Sequence, residues 1–63
     1  MYKNLEKIRK NLNLTINDMG KIISKSPATY YKKEKGEVTT SVEEAILIAR
    51  ELHEDVEFLF LSL

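Results

Sequence analysis

The chain has 63 residues, no cysteine and a formal net charge of zero, and 43% of its residues are hydrophobic. A chain of this length predicts one small domain, residues 1–63, whose stability depends on an apolar core, because disulfide bonds and thiolate metal ligands are excluded. No apolar run reaches the roughly 18 to 20 residues that a membrane span needs, and the N-terminal segment has no apolar signal region, so we expect a cytoplasmic protein.

The charges are divided unevenly along the chain. Residues 1–36 carry nine basic and three acidic residues, whereas residues 37–63 carry one basic and seven acidic residues, giving net charges of +6 and −6. Such a division suggests one surface offered to a polyanion and another kept away from it. The alternative is that both are ordinary solvated surfaces.

Two amphipathic helices are predicted in the first part of the chain. In residues 3–12, Leu5, Ile8 and Leu12 lie on one helical face. A second helix begins after Thr15, whose hydroxyl can accept a hydrogen bond from an unpaired main-chain amide. Its apolar face consists of Ile16, Met19, Ile22 and Ile23. This spacing is typical of a helix with one buried face.

A third helix follows after a short turn. Ser26 can cap it, and Pro27 suits its first position because the missing amide donor is not needed there. Gly36 can adopt the left-handed conformation that ends a helix, and basic residues precede it, where cations favour the helix dipole. Residues 15–36 therefore predict two short capped helices joined by a tight turn, a helix-turn-helix.

Two further helices are predicted in the acidic part of the chain. Ser41 and Glu44 have the spacing of a capping box, and Asp55 can cap a last helix over residues 56–60. Val38, in the connection before Ser41, is predicted to point inward. The apolar face of the fourth helix is predicted to contain Val42, Ala45, Ile46, Ile48, Ala49 and Leu52. With five helices and no strand pair, the predicted fold is all-α.

The C-terminal tail is unusually apolar for so small a domain. Leu59 is predicted to lie in the core, whereas Phe58, Phe60, Leu61 and Leu63 are candidates for a self-complementary dimer surface. The alternative is that the tail folds back and closes the core of a monomer.

Three segments resemble the Cro-like and phage-repressor helix-turn-helix family, also called the XRE type. They are IRKNLNLT at 8–15, SPATYYKKEKG at 26–36 and SVEEAILIARELHEDVEFLF at 41–60. The resemblance extends from Leu5 to Phe60 and includes Arg9, Glu34-x-Gly36 and an Ile48-Ala49-x-x-Leu52 pattern. It implies a compact five-helix repressor-like domain in which helices 2 and 3 form the helix-turn-helix.

The resemblance also implies that the third helix lies in the major groove of double-stranded DNA. Lys32 is then suited to donate to guanine, and Pro27 and Ala28 to touch thymine methyl groups. Tyr31 can reach a phosphate or a sugar, while Lys35 and the amides after Gly36 lie near the DNA backbone. The full predicted DNA-binding set is Thr15, Lys25, Ser26, Pro27, Ala28, Tyr31, Lys32 and Lys35. Thr15 enters because unpaired amides at a helix N-terminus suit a phosphate.

Other residues are interpreted as structural. By the resemblance, Arg9 and Glu34 form an ion pair that orients the third helix, and Tyr30 belongs to the core. His53 has no partners for a metal site and suits the end of the fourth helix. The carboxylates lie on caps and exposed faces without a cleft or nucleophile. We therefore predict no enzymatic activity, no cofactor and no metal.

We therefore predict a sequence-specific double-stranded DNA-binding regulator that binds an operator as a homodimer and blocks or recruits polymerase. The resemblance implies a bacterial or phage protein of the Cro or repressor kind. The family often has glutamine at the position of Ile16 and glycine at that of Ser24, and apolar residues are usual at those of Lys25 and Lys33. The lysines favour DNA, whereas Ile16, Ser24 and the zero net charge keep an alternative open. In it, the chain is a protein-interaction module of the same fold, an antirepressor or antitoxin-like partner with little affinity for DNA.

Overall fold

The structure is a computed structural model that describes residues 1–61. The helices are α1 (Lys3–Asn11), α2 (Ile16–Ile22), α3 (Pro27–Glu34), α4 (Val42–Leu52) and α5 (Val56–Phe60). No strand occurs in these residues, and none of their helices is long and apolar enough to cross a bilayer. The all-α prediction is confirmed, as is the helix-turn-helix formed by α2 and α3.

Hydroxyl side chains cap the starts of three helices, and the capping residues are Thr15, Ser26 and Ser41. The Thr15 hydroxyl accepts from the Asp18 amide at 3.0 Å, and the Asp18 carboxylate accepts from the Thr15 amide at 2.9 Å. Ser41 and Glu44 form the same reciprocal capping box at 3.1 and 3.0 Å. Asp55 occupies the N-cap position of α5 but forms no side-chain capping bond, so that expectation is wrong.

The first four helices end in the same way. Each is followed by a residue with a left-handed backbone, and the next amide donates back to a carbonyl five residues earlier, as in a Schellman motif. The left-handed residues are Asn13, Ser24, Gly36 and His53, with φ of 60°, 58°, 80° and 55°. The closing bonds are Leu14 to Arg9, Lys25 to Gly20, Glu37 to Lys32 and Glu54 to Ala49, at 2.9 to 3.1 Å. The same C-terminal motif thus turns the chain sharply after each of these four helices.

All five helices contribute to a single core. Its buried apolar residues are Leu5, Met19, Ile23, Tyr30, Ile48, Ala49, Leu52 and Leu59. Gly20 allows α2 to pack closely on the following turn, because a Cβ at this position would lie 2.8 Å from the main-chain oxygen of Lys25. The relative placement of α2 and α3 therefore depends on this close backbone contact.

Four apolar residues predicted to lie on buried faces are exposed instead. Val42 is 76% exposed, and Leu12, Val38 and Ile46 are exposed as well. The core side of α4 is narrower than predicted and consists of Ala45, Ile48, Ala49 and Leu52. Val42 and Ile46 therefore lie outside the buried side of α4.

Candidate nucleic-acid interface

The helix α3 presents an exposed surface on the helix-turn-helix that begins at its N-terminus. Pro27, Ala28, Tyr31 and Lys32 are all exposed, as is the capping residue Ser26. The Ser26 hydroxyl accepts from the Thr29 amide at 3.1 Å and lies 2.9 Å from the Thr29 hydroxyl. The helix therefore begins at a defined residue, and four potential contact side chains are free to meet a ligand.

Tyr31 and Lys35 form one unit at the C-terminal half of α3. The Lys35 ammonium lies 5.1 Å from the centre of the Tyr31 ring, within the range of a cation–π interaction. It also lies 3.5 Å from the Glu37 carboxylate. A phosphate that binds Lys35 must therefore compete with Glu37.

The N-terminus of α2 offers fewer free donors than predicted. The amides of Thr15 and Asp18 are both occupied by the capping box. The hydrogen bond from the Thr15 main-chain amide also lowers the pKa of Asp18, which keeps a negative charge beside this helix end. Thr15 is exposed, but a phosphate near it would meet a carboxylate.

A buried polar network holds α3 against α1. Arg9 Nε donates to Glu34 Oε1 at 2.8 Å, and Arg9 Nη2 donates to Oε2 at 3.1 Å. The Tyr30 hydroxyl donates to the same Oε1 at 2.8 Å, while Arg9 Nη1 donates to the Leu14 carbonyl at 2.9 Å. The hydrogen bond to Glu34 raises the pKa of Arg9, and burial raises the pKa of Tyr30. The network connects α3, α1 and the α1–α2 connection.

Sequence reasoning anticipated the Arg9–Glu34 pair but missed its two further members. Tyr30 lies one helical turn before Glu34, so its hydroxyl is within reach of the carboxylate, a signal that helical spacing contained. The Leu14 carbonyl had no such signal, because its position depends on the turn after α1.

The two lysines at positions where apolar residues are usual have different environments. Lys25 is exposed in the turn before α3. Lys33 is 7% exposed, and its Nζ donates to the Thr39 carbonyl at 2.8 Å and lies 3.1 Å from Glu44 Oε1. The pKa of Glu44 is lowered, first by the hydrogen bond from the Ser41 amide and further by Lys33. Sequence reasoning missed this pair.

The predicted dimer residues also divide into two groups. Phe58 and Leu61 are 45% and 58% exposed. Phe60 is half-buried and packs edge-on against Tyr2 with 5.2 Å between ring centres, so it contributes to its own core. Leu63 lies outside the described residues.

The remaining observations concern metal ligands and grooves among the described residues. In residues 1–61 no group of three or more histidine, aspartate and glutamate side chains is placed to hold a metal ion. A shallow groove of about 480 Å³ lies between the end of α4 and the start of α5, with Ile46, Ala49 and Val56 as its apolar lining.

The fold and this surface define a helix-turn-helix domain. A family model described as helix-turn-helix matches residues 5–59, nearly the whole chain, and the chain belongs to this XRE-type helix-turn-helix family. It is accordingly a DNA-binding helix-turn-helix regulator. No curated protein and no solved structure shows significant similarity to the chain.

Proposed function

We propose that the protein is a sequence-specific regulator that binds an operator in double-stranded DNA as a homodimer and has no enzymatic activity. The observation that carries the proposal is the exposed surface of α3, formed by Pro27, Ala28, Tyr31 and Lys32, on a helix that the Arg9–Glu34 network fixes to the core. A helix held in this way can enter the major groove without first being ordered. Its small size and basic first half are typical of phage or bacterial repressors of the Cro kind, which act in the cytoplasm.

The exposed residues of α3 divide into base-reading and backbone-positioning groups. Lys32 suits guanine O6 or N7, and Pro27 and Ala28 suit thymine methyl groups. Tyr31 and Lys35 suit the sugar–phosphate backbone, since their paired side chains lie toward the end of the helix.

Further phosphate contacts come from the surrounding segments. Ser26 and Lys25 precede α3 and are exposed. Thr15 is also exposed at the start of α2, although the Asp18 carboxylate beside it opposes a phosphate. The amides of Val38 and Thr39 have no acceptor among residues 1–61, which leaves two donors for a phosphate after Gly36.

The homodimer is proposed from the exposed part of the tail. Phe58 and Leu61 are large apolar residues left uncovered on so small a domain, and Leu63 extends the same apolar segment in the sequence. One recognition helix reads too few base pairs for useful specificity, whereas a two-fold dimer addresses half-sites about one helical turn apart.

The protein-interaction module remains the second candidate because of exposed apolar residues on the acidic half. Val42, Ile46 and Val56 are uncovered there and could contact another protein. One observation weighs against it. Ile16, which would join Tyr31 and Pro27 in an apolar patch on the recognition surface, packs against the core instead.

The base-reading surface is tested with Lys32→Ala and Tyr31→Ala on a duplex selected by the wild-type protein. Lys32→Ala is expected to relax preference at one or two base pairs, by about 1–3 kcal/mol for a lost base contact, with an unchanged thermal unfolding temperature. Tyr31→Ala is expected to weaken binding to all sequences alike. Binding is measured by fluorescence anisotropy against a panel of single-base variants of the duplex.

The control is Lys7→Ala, which removes the same charge from an exposed position on α1. It is expected to leave base preference unchanged. If both α3 variants keep the wild-type preference and affinity, the assignment of this surface is wrong.

A further inference from the structure

Lys33 is a buried lysine on the side of α3 that faces the following connection. Its side chain is 8% exposed, and Nζ lies 2.8 Å from the Thr39 carbonyl oxygen and 3.1 Å from Glu44 Oε1. A lysine in this position cannot touch DNA directly. Both shown partners of its ammonium, Thr39 and Glu44, belong to the protein.

The pair joins three parts of the fold. Lys33 belongs to the last turn of α3, Thr39 to the connection between α3 and α4, and Glu44 to the first turn of α4. Glu44 Oε1 also accepts from the Ser41 amide at 3.0 Å. One carboxylate oxygen thus fixes both the start of α4 and the lysine that reaches from α3.

The connection over residues 37–40 has few other restraints. The Glu37 amide donates to the Lys32 carbonyl at 2.9 Å and completes the end of α3. Beyond it, the amides of Val38, Thr39 and Thr40 donate to no acceptor in the described part of the chain, and Val38 and Thr39 are exposed. In the part of the chain that the structure describes, the main chain of this connection is therefore held by one hydrogen bond from a side chain, the one that Lys33 donates to the Thr39 carbonyl.

We infer that Lys33 and Glu44 are positioning residues for DNA binding, because they hold the connection over residues 37–40 in the conformation that offers its free amides to a phosphate. The inference rests on the proposed function. Without the pair, the connection must be ordered when DNA binds, and ordering a segment on binding lowers affinity. No charge contact with DNA is lost.

The experiment compares the double variant Lys33→Met/Glu44→Gln with Lys7→Met/Glu43→Gln. Both double variants keep the net charge, and the control changes an exposed lysine in α1 and an exposed glutamate in the first turn of α4. Removing both charges of the pair together avoids leaving one of them unpaired, and glutamine can still accept from the Ser41 amide. Binding to the duplex selected by the wild type is measured as a function of salt, together with thermal unfolding and the backbone NMR order parameters of the free proteins.

The double variant is expected to stay folded and to bind about threefold to tenfold more weakly, with the wild-type dependence of affinity on salt. Backbone NMR order parameters of the free protein are expected to fall at residues 37–40 in the double variant and to stay unchanged in the first turns of α3. A lysine that contacts a phosphate would instead reduce the salt dependence by about one unit of slope. The control pair is expected to bind like the wild type.

Wild-type affinity in the folded double variant, or a reduced salt dependence, would overturn the inference. If the double variant does not fold, Glu44→Gln alone serves, and its unchanged affinity and unchanged order parameters would overturn the inference equally. If the wild type itself selects no duplex, the proposed function fails. The order parameters, measured without DNA, then still decide whether Lys33 and Glu44 hold the connection.

Discussion

Ser24 shows how a single backbone conformation limits the stability of the helix-turn-helix. Its φ of 58° is left-handed, a conformation that costs an L-residue roughly 1–2 kcal/mol and glycine very little. Ser24→Gly is expected to raise the free energy of unfolding by about 0.5–1 kcal/mol, because the relieved strain exceeds the extra entropy of glycine in the unfolded chain. The change is measured by urea denaturation, with Asn13→Gly as a control at a residue that tolerates this conformation better. A loss of stability in Ser24→Gly would contradict the strain argument.

At the residue scale, sequence reasoning succeeded where the physical cause is local. Thr15, Ser26 and Ser41 cap helices because a hydroxyl and an amide two or three residues away meet in any helix start. The exposure of Val42 could not be predicted in this way. Helical spacing shows which side of a helix is apolar, but it does not show how wide a part of that side the other helices cover. The partner of Lys33 lies 11 positions away on another helix, where no local pattern reaches.

At the element scale, the Arg9–Glu34 network is expected to determine whether α3 stays attached to α1. Arg9→Met leaves the fully buried Glu34 carboxylate without its cation, a change that costs about 3–5 kcal/mol. A chain of this size has roughly 3–9 kcal/mol of total stability, so the variant is expected to be largely unfolded or to melt far below the wild type. Thermal unfolding followed by circular dichroism measures this.

Lys10→Met provides the matched control for that variant. It also removes a cation from α1, but its pair with Glu6 is solvent-exposed at 3.6 Å, and an exposed pair contributes less than about 1 kcal/mol. Similar small losses in the two variants would show that the Arg9 network does not hold the helices together.

The capping box at the start of α4 gives the stability a defined dependence on pH. The pKa of Glu44 is lowered in the folded state, so its contribution is fully present above the ordinary glutamate pKa of about 4.3 and is lost as pH falls through the lowered pKa. The free energy of unfolding is therefore expected to be higher in the wild type than in Glu44→Gln, and this difference is expected to be larger at pH 7 than at pH 3. Glu43→Gln, one residue earlier and exposed, is the control. Urea denaturation at both pH values measures the difference, and an equal gap at pH 3 and pH 7 would contradict this account.

The element bounds themselves followed closely from the sequence, and the contacts between elements did so only in part. All five helices were predicted, α2, α3 and α4 with start signals that the structure shows and α1 from its apolar spacing, and α1 ends one residue earlier than expected. The tail was harder to assign. Phe60 packs on Tyr2, from the other end of the chain, whereas the neighbouring Phe58 stays exposed. Sequence spacing cannot show which of the two aromatic residues is buried, because their burial depends on contacts with the other end of the chain.

At the scale of the whole molecule, the basic first half contains the proposed recognition surface, and the acidic second half contains most of the exposed large apolar residues. The two halves carry net charges of +6 and −6. In the proposed homodimer, this division lets the basic half attract DNA while the acidic half stays available for the second copy. Net charge alone would have hidden it.

Selection from a random duplex library tests the central claim most directly. Duplexes that bind at near-physiological salt are sequenced, and the affinity of the recovered sequence is then followed as salt is raised. The account predicts a palindromic motif with half-sites about one helical turn apart and an affinity that falls steeply with salt, since phosphate contacts release counterions. Absence of an enriched motif, with weak binding that disappears after a modest addition of salt, would contradict operator binding and favour the protein-interaction module.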